Sequence, residues 1–306
     1  MGRYVETMSQ FPEPRTLSRA EWLTEVAAYR QRVQPLCDDR VRRMTKGQKH
    51  PVTDFLFEYY SHRPAHLMRW TPGIGVRLRD AQREELAWPE LWNASEDGLV
   101  LSPERFPQHR FEFVQWAVNY LLAVRDREPN FHCFGMHEWA MVYRADELRH
   151  ARVPLRVTER ELAAIVEAKP LKCTHYDAYR FFTPAAVPLN RIALTRQTTT
   201  DNDQPGCIHA NMDLYKFSFK IAPYCASDVV AAAFELAKDA REVDMRASPY
   251  DLREFGYEPI RIEEREGCEE YVCLQKAIAS RAQNVREAVL REYLKLLSSE
   301  ITTRSQ

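Results

Sequence analysis

The chain reads as a mainly helical protein, a single large helical domain with little sheet, on three observations. Long stretches repeat their apolar residues every three or four positions, the spacing that sets them on one face of a helix. The clearest covers residues 268–301, where Tyr271, Leu274, Ile278, Val285, Val289, Tyr293 and Leu296 recur. Alternation of apolar and charged residues, the signal of one strand or an extended arm, is confined to residues 258–264. The 306 residues are 45% hydrophobic, enough apolar surface for a substantial core. The domain is expected over 19–301 after a loose lead-in over 1–18, with roughly half the chain helical and no internal repeat.

The elements follow in order. Ser18, with Glu21 three positions on, is a helix-start pattern, and Trp22, Val26, Tyr29 and Val33 continue at helical spacing. Pro35 is expected to kink or interrupt that helix, with a second stretch over 37–46. The aromatic block at 54–70 reads as a helix ended near Pro64, and Trp70-Thr-Pro-Gly-Ile-Gly-Val76 as a tight turn. Residues 77–105, polar and Trp-rich, read as a surface excursion. Residues 111–124 form an amphipathic helix and 131–143 a mostly apolar helical segment. Thr158 and Glu161 match a capping box opening a helix to Ala168. The prolines and the Thr-Thr-Thr-Asp-Asn-Asp run of 183–206 read as a long loop. Helix returns over 209–221 and over 228–245, the latter capped by Ser227.

Charge and composition narrow the function. The net charge is −1, so firm duplex binding by phosphate neutralisation is not supported. The basic excess lies in residues 1–80, with 14 Lys/Arg against 9 Asp/Glu, densest at Arg40, Arg42, Arg43, Lys46 and Lys49. It reads first as a solvated helix face and second as a phosphate contact. No apolar stretch is long enough for a membrane helix, and the polar N-terminus lacks a signal-peptide core. Seven cysteines with no Cys-x-x-Cys pair fit reduced thiols in a cytoplasm.

Four segments carry candidate chemistry. His137 and Glu138 interrupt the apolar run 131–143, where charge is rarely found unless paired, ligated or catalytic. His175 and Asp177 lie in an aromatic stretch with Tyr176, Tyr179, Phe181 and Phe182, and share a face only if the backbone is extended. His209 and Asp213 share a helix face at i and i+4, with Lys216 one turn on. Gly206 stands where a loop enters that helix, whose N-terminus is a candidate ligand contact. Asp244, Arg246 and Asp251 cluster near a helix C-terminus, where the dipole disfavours an acid. Each segment also has an ordinary explanation as a salt-bridge network or aromatic core.

Five blocks carry a resemblance. They are Phe55-Leu-Phe-Glu-Tyr-Tyr through Gly75, Cys133-Phe-Gly-Met-His-Glu-Trp-Ala-Met-Val-Tyr, Thr174-His-Tyr-Asp-Ala-Tyr-Arg-Phe-Phe-Thr-Pro, Pro205-Gly-Cys-Ile-His-Ala-Asn-Met-Asp-Leu-Tyr-Lys and Asp244-Met-Arg-Ala-Ser-Pro-Tyr-Asp-Leu. Over residues 50–275 the chain resembles a bacterial family labelled 3-methyladenine DNA glycosylase. The resemblance implies hydrolysis of an N-glycosidic bond in a purine-containing substrate, without a required cofactor, and carries no residue roles. Pro72-Gly-Ile-Gly75 followed by Asp97 is also similar to the hairpin-and-aspartate pattern of helix-hairpin-helix glycosylases, although residues 77–85 are heavily charged for a packed hairpin helix.

On the hydrolase reading Glu138 is the preferred carboxylate, with Asp177 and Asp213 as alternates, and His137 and His209 orient or protonate. Tyr60, Trp139, Tyr176 and Phe181 are candidate stacking surfaces, and His175, Asn211, Lys216 and Arg246 candidate substrate contacts. The alternative is a helical metalloenzyme acting on a small molecule, with iron, manganese or zinc held by the same His and carboxylate groups. A third reading, a binding or scaffold protein, expects the four segments to lie far apart. The oligomeric state is left open.

Overall fold

A computed structural model describes residues 15–146 and 153–304. The expected lead-in over 1–14 lies outside the described residues. Its last part, Arg15–Leu17, is not loose: it is strand β1. Ser18 then caps helix α1 (Arg19–Thr45) through a complete capping box with Glu21. The helix runs through Pro35 without interruption. Trp22, Tyr29, Val33 and Cys37 are buried on both sides of the proline, so packing outweighs the lost backbone bond.

The aromatic block forms two short helices, α2 (Phe55–Tyr59) and α3 (Pro64–Leu67). Pro64 opens the second rather than ending the first, because a proline at the first helical position forfeits no hydrogen bond. The basic segment before it is a solvated face at Arg42, Lys46 and Lys49, but not at Arg40 and Arg43. Arg40 donates to Asp54 at 2.6 Å and Arg43 at 3.1 Å, and the Asp54 side chain is buried.

The turn at 70–75 holds, with Gly73 at φ +78° and Gly75 at φ +85°. It leads into a strand, β2 (Val76–Arg79), so the helix-hairpin-helix expectation fails. Asp97 sits between two strands and accepts from Arg79 at 2.6 Å. Nor is 77–105 a surface excursion. β2, β3 (Trp92–Ser95) and β4 (Gly98–Leu101) join β1 in a sheet ordered β1-β2-β4-β3. β1 pairs parallel with β2 through Leu17↔Leu78, and the other two pairings are antiparallel. Leu78, Trp92, Leu99 and Leu101 bury the inner face while Arg77 and Arg79 hold Asp97. Four-residue strands are too short to declare a period of two.

The remainder is helical, which bears out the predicted class. The remaining helices are α4 (Phe111–Arg125), α5 (Met136–Ala140), α6 (Glu159–Ala168), α7 (Tyr176–Tyr179), α8 (Thr199–Asn202), α9 (Ile208–Lys220), α10 (Ser227–Arg246) and α11 (Arg265–Arg304). α9 packs on α10 and both pack on α11, which also receives α4. Met212, Leu214, Phe234, Ala237, Leu121, Ile278 and Val289 meet in this core.

Four local expectations change here. The 131–143 segment is helical only over α5, because Phe134 and Gly135 take positive φ just before it. The loop at 183–206 contains α8 and buries Asp203 and Gln204. Residues 258–264 form no strand, although Ile260 and Ile262 are buried. Ser227 is the first residue of α10 rather than its cap: its hydroxyl accepts from the Thr71 amide at 2.8 Å and donates to the Arg69 carbonyl at 3.2 Å. No described helix is long and apolar enough to cross a membrane.

Candidate metal centre

Helix α9 presents His209, Asp213 and Lys216 along one stripe. Three further elements close on it: α10 with Arg241 and Asp244, α5 with His137 and Glu138, and the start of α7 with His175 and Asp177. The result is two groups of three side chains, His137/His209/Asp244 and His175/Asp177/Asp213. Within each, one donor atom per residue lies within 4.8 Å of the others.

In the first group Asp244 is fully buried. Its Oδ1 lies 2.6 Å from His137 Nε2, and its Oδ2 accepts from Arg241 at 2.8 Å and lies 3.8 Å from His209 Nε2. Arg241 also donates to Glu138 at 2.7 Å. An acid near the end of α10 runs against the helix dipole, and these cationic partners offset that cost. In the second group His175 Nδ1 lies 3.0 and 3.1 Å from the two oxygens of Asp203, which also accepts from the Tyr120 hydroxyl at 2.7 Å. Its Nε2 is thereby aimed at Asp213, 3.7 Å away. Tyr60 donates to Asp213 at 2.9 Å. Lys216 pairs with Asp213 and, at 3.2 Å, with Asp177. The groups meet at His209 and His175, whose rings stack 5.6 Å apart, while His137 stands edge-on to His209 at 4.4 Å.

The electrostatics are strongly polarised. Burial works against the His137 imidazolium, but the Asp244 carboxylate prevails and holds its pKa well above the usual range. Burial and then His137 push His209 well below its ordinary value. Burial opposes charge on His175 too, and Asp203 raises it nonetheless. Asp244 is held low against burial, chiefly by His137 and His209, and Asp177 likewise by Lys216. Burial and the Asp213 carboxylate push the Tyr60 phenol far up, so it remains a donor.

Two cavities open on the cluster and share Asp177. The smaller, about 360 Å³, is walled by Phe55, Tyr59, Met141 and Phe181, with Glu138, His209 and Arg241 at its polar end. The larger, about 580 Å³, reaches His175, Asp213 and Lys216. Imidazole and carboxylate donors of this kind suit zinc, iron or manganese.

Of the residues singled out from sequence, His137, Glu138, His175, Asp177, His209, Asp213, Lys216 and Tyr60 are brought together, while Tyr176 and Phe181 line the cavities. Others stand elsewhere. Trp139 is fully buried, donating to the Ala247 carbonyl at 2.8 Å under Arg156, and offers no open ring face. Asn211 is buried between the Pro205 carbonyl and Arg286. Arg246 turns away to Glu270 and the Glu258 carbonyl. Gly206 does not open a ligand site: its amide bonds Gln204 at 2.7 Å, and a Cβ there would meet the Asn130 carbonyl at 2.7 Å. Asp251 pairs with Arg253 outside the cluster.

Asp203 and Tyr120 escaped the sequence reading. Asp203 closes a Thr/Asp/Asn run with the composition of a loop, and Tyr120 has the spacing of an ordinary core aromatic. Asp244 was visible as an acid at a helix end, without the partners that give it a role. No protein-family model matches the chain, and no curated protein or solved structure does.

Proposed function

We propose that the chain is a metal-dependent enzyme acting on a small organic molecule, with divalent cations held by His137/His209/Asp244 and by His175/Asp177/Asp213. The observation that carries this reading is the meeting of the two triads at His209 and His175, each triad backed by a buried charged partner, Arg241 or Asp203. Carboxylate-to-imidazole support of the Asp203–His175 kind fixes the ring and directs the remaining nitrogen outward, the usual arrangement behind a metal ligand.

Charge balance supports the same reading. Five carboxylates, Glu138, Asp177, Asp203, Asp213 and Asp244, face three side-chain cations, Arg180, Lys216 and Arg241. Buried charge without compensation is costly. Protons on His137 and His175 restore the balance in one state, and a first divalent cation restores it with the imidazoles neutral, as ligands must be. When bound, such a cation supplies Lewis-acid polarisation of a substrate oxygen. The chain's own groups do the rest. Phe55, Tyr59 and Phe181 exclude water and hold an apolar or planar body. Glu138, on the same cavity wall, is placed to take or return a proton, with Arg241 orienting it.

Elemental analysis of purified protein tests the reading: iron, manganese or zinc near one or two equivalents per chain is expected. The convergence of all four segments counts against the scaffold reading.

A second reading keeps N-glycosidic hydrolysis of a purine-containing substrate. It is favoured by the aromatic walls of the smaller cavity standing beside two carboxylates, Glu138 and Asp177. Chelator-treated protein that still released a purine base, and lost that activity with Glu138→Gln, would select it over the metal reading.

A further inference from the structure

The larger cavity has a composition that the metal reading does not explain. Its wall is a stripe of α4, Phe113, Trp116 and Tyr120, spaced to share one helix face. Trp116 and Tyr120 stack 5.4 Å apart at 20°, and Phe113 stands 6.0 Å from Trp116. Trp116 nevertheless stays 41% exposed at the cavity, a large ring face left open to solvent. Arg180, Arg196 and Lys220 line the same cavity. The floor carboxylates, Asp177 and Asp213, are already held by Lys216, and Asp177 also by Arg180 at 3.2 Å. Arg196 and Lys220 form no ion pair among the described residues, and Lys220 lies over the Phe113 ring at 4.9 Å. An aromatic platform and two cations outside any ion pair among the described residues, in a cavity of about 580 Å³, are complementary to a flat molecule bearing negative charge.

We propose that this cavity binds a planar aromatic anion, its ring on Trp116 and its phosphate or carboxylate between Arg196 and Lys220. Because the cavity floor is His175, Asp213 and Lys216, the bound molecule lies against the second triad. Naming it a substrate rests on the metal-enzyme reading; its binding does not.

Calorimetric titration tests the proposal with three probes: adenosine 5′-monophosphate, 2-naphthoate and uncharged adenosine. Each is titrated into chelator-treated and into metal-supplied protein. At least one of the two anions is expected to bind, more weakly as salt is raised. Binding of the nucleotide identifies phosphate as the anion, and binding of the naphthoate identifies carboxylate. Arg196→Gln, Lys220→Gln and Trp116→Ala each lower that affinity about tenfold or more, the equivalent of one good contact. Lys46→Gln, exposed just past the end of α1 and away from the cavity, leaves it unchanged. All of these side chains reach solvent, so the variants keep the fold. The proposal is overturned if neither anion binds, if adenosine binds as tightly as its phosphate, or if the three cavity variants bind like the parent. Anion binding by a protein that takes up no metal sinks the metal reading and leaves this one standing; metal without anion binding does the reverse.

Discussion

His175 and Asp203 lie 28 positions apart and are joined by His175 Nδ1 at 3.1 and 3.0 Å from the two carboxylate oxygens. Asp203 is fully buried and its other partner is the Tyr120 hydroxyl. The pair fixes both the plane of the imidazole and which nitrogen faces Asp213. Asp203→Asn keeps the shape and removes the charge. On the metal account it weakens metal affinity by about 10–100-fold, the range seen when a ligand loses its supporting carboxylate. Competition against a calibrated chelator measures this, and unchanged affinity would remove Asp203 from the site.

Asp244 binds His137 and Arg241 at once, in a region closed to water. Asp244→Asn leaves Arg241 sharing a single carboxylate, Glu138, and His137 without its anion. Loss of one partner from a buried charged network costs about 3–5 kcal/mol. Denaturant unfolding of the metal-free protein should show that loss, and added zinc should raise the midpoint of the parent but not of the variant. A variant as stable as the parent would contradict this account of the α10 end.

Asp54 supports a pH prediction remote from the site. Burial alone would raise its pKa, but Arg43, the His50 backbone amide at 2.9 Å and Arg40 together hold it below the usual value. A depressed carboxyl stabilises the fold fully above the unfolded value near ~3.9, and that contribution is lost as pH falls through the folded pKa. Asp54→Asn should therefore cost about 1.5–3 kcal/mol at neutral pH, as for hydrogen bonds to a charged group. The gap between parent and variant should close below about pH 4. A gap that persisted at low pH would mean that Asp54 acts through shape rather than charge.

How far the sequence discloses this molecule depends on the range of each signal. The long helices and the capping boxes at Ser18 and Thr158 were legible because their causes lie within one or two turns. His137, Glu138, His209 and Asp213 were legible because charge at those positions conflicts with ordinary core packing. The sheet was not, since its strands are short and Arg15–Leu17 pairs with a strand some sixty positions away. Asp203 was not, because its burial is imposed by Tyr120 and His175, which come from other elements. The displacement of Trp139, Asn211 and Arg246 from the site has the same origin: a helix carries neighbours outward in different directions, and only the packing decides which face meets the cavity.

Gly73 and Gly75 separate crowding from backbone strain. Both have positive φ, but a Cβ at Gly73 would stand 2.8 Å from the Ala226 backbone nitrogen, whereas at Gly75 it meets nothing within 4 Å. Gly75→Ala should cost about 1–2 kcal/mol, the left-handed penalty alone. Gly73→Ala should cost clearly more, because the start of α10 has to move. Equal unfolding midpoints for the two variants would contradict the close approach of the 70–75 turn to α10.

The central claim is that the two triads hold metal. It is tested most directly by elemental analysis of protein purified without chelators, beside His209→Ala, which removes the imidazole at the meeting point of the triads. The account predicts iron, manganese or zinc near one or two equivalents per chain in the parent and a marked loss in a variant that remains folded. Parent protein free of metal after incubation with each of these ions, or a variant retaining the parent's full content, would contradict it.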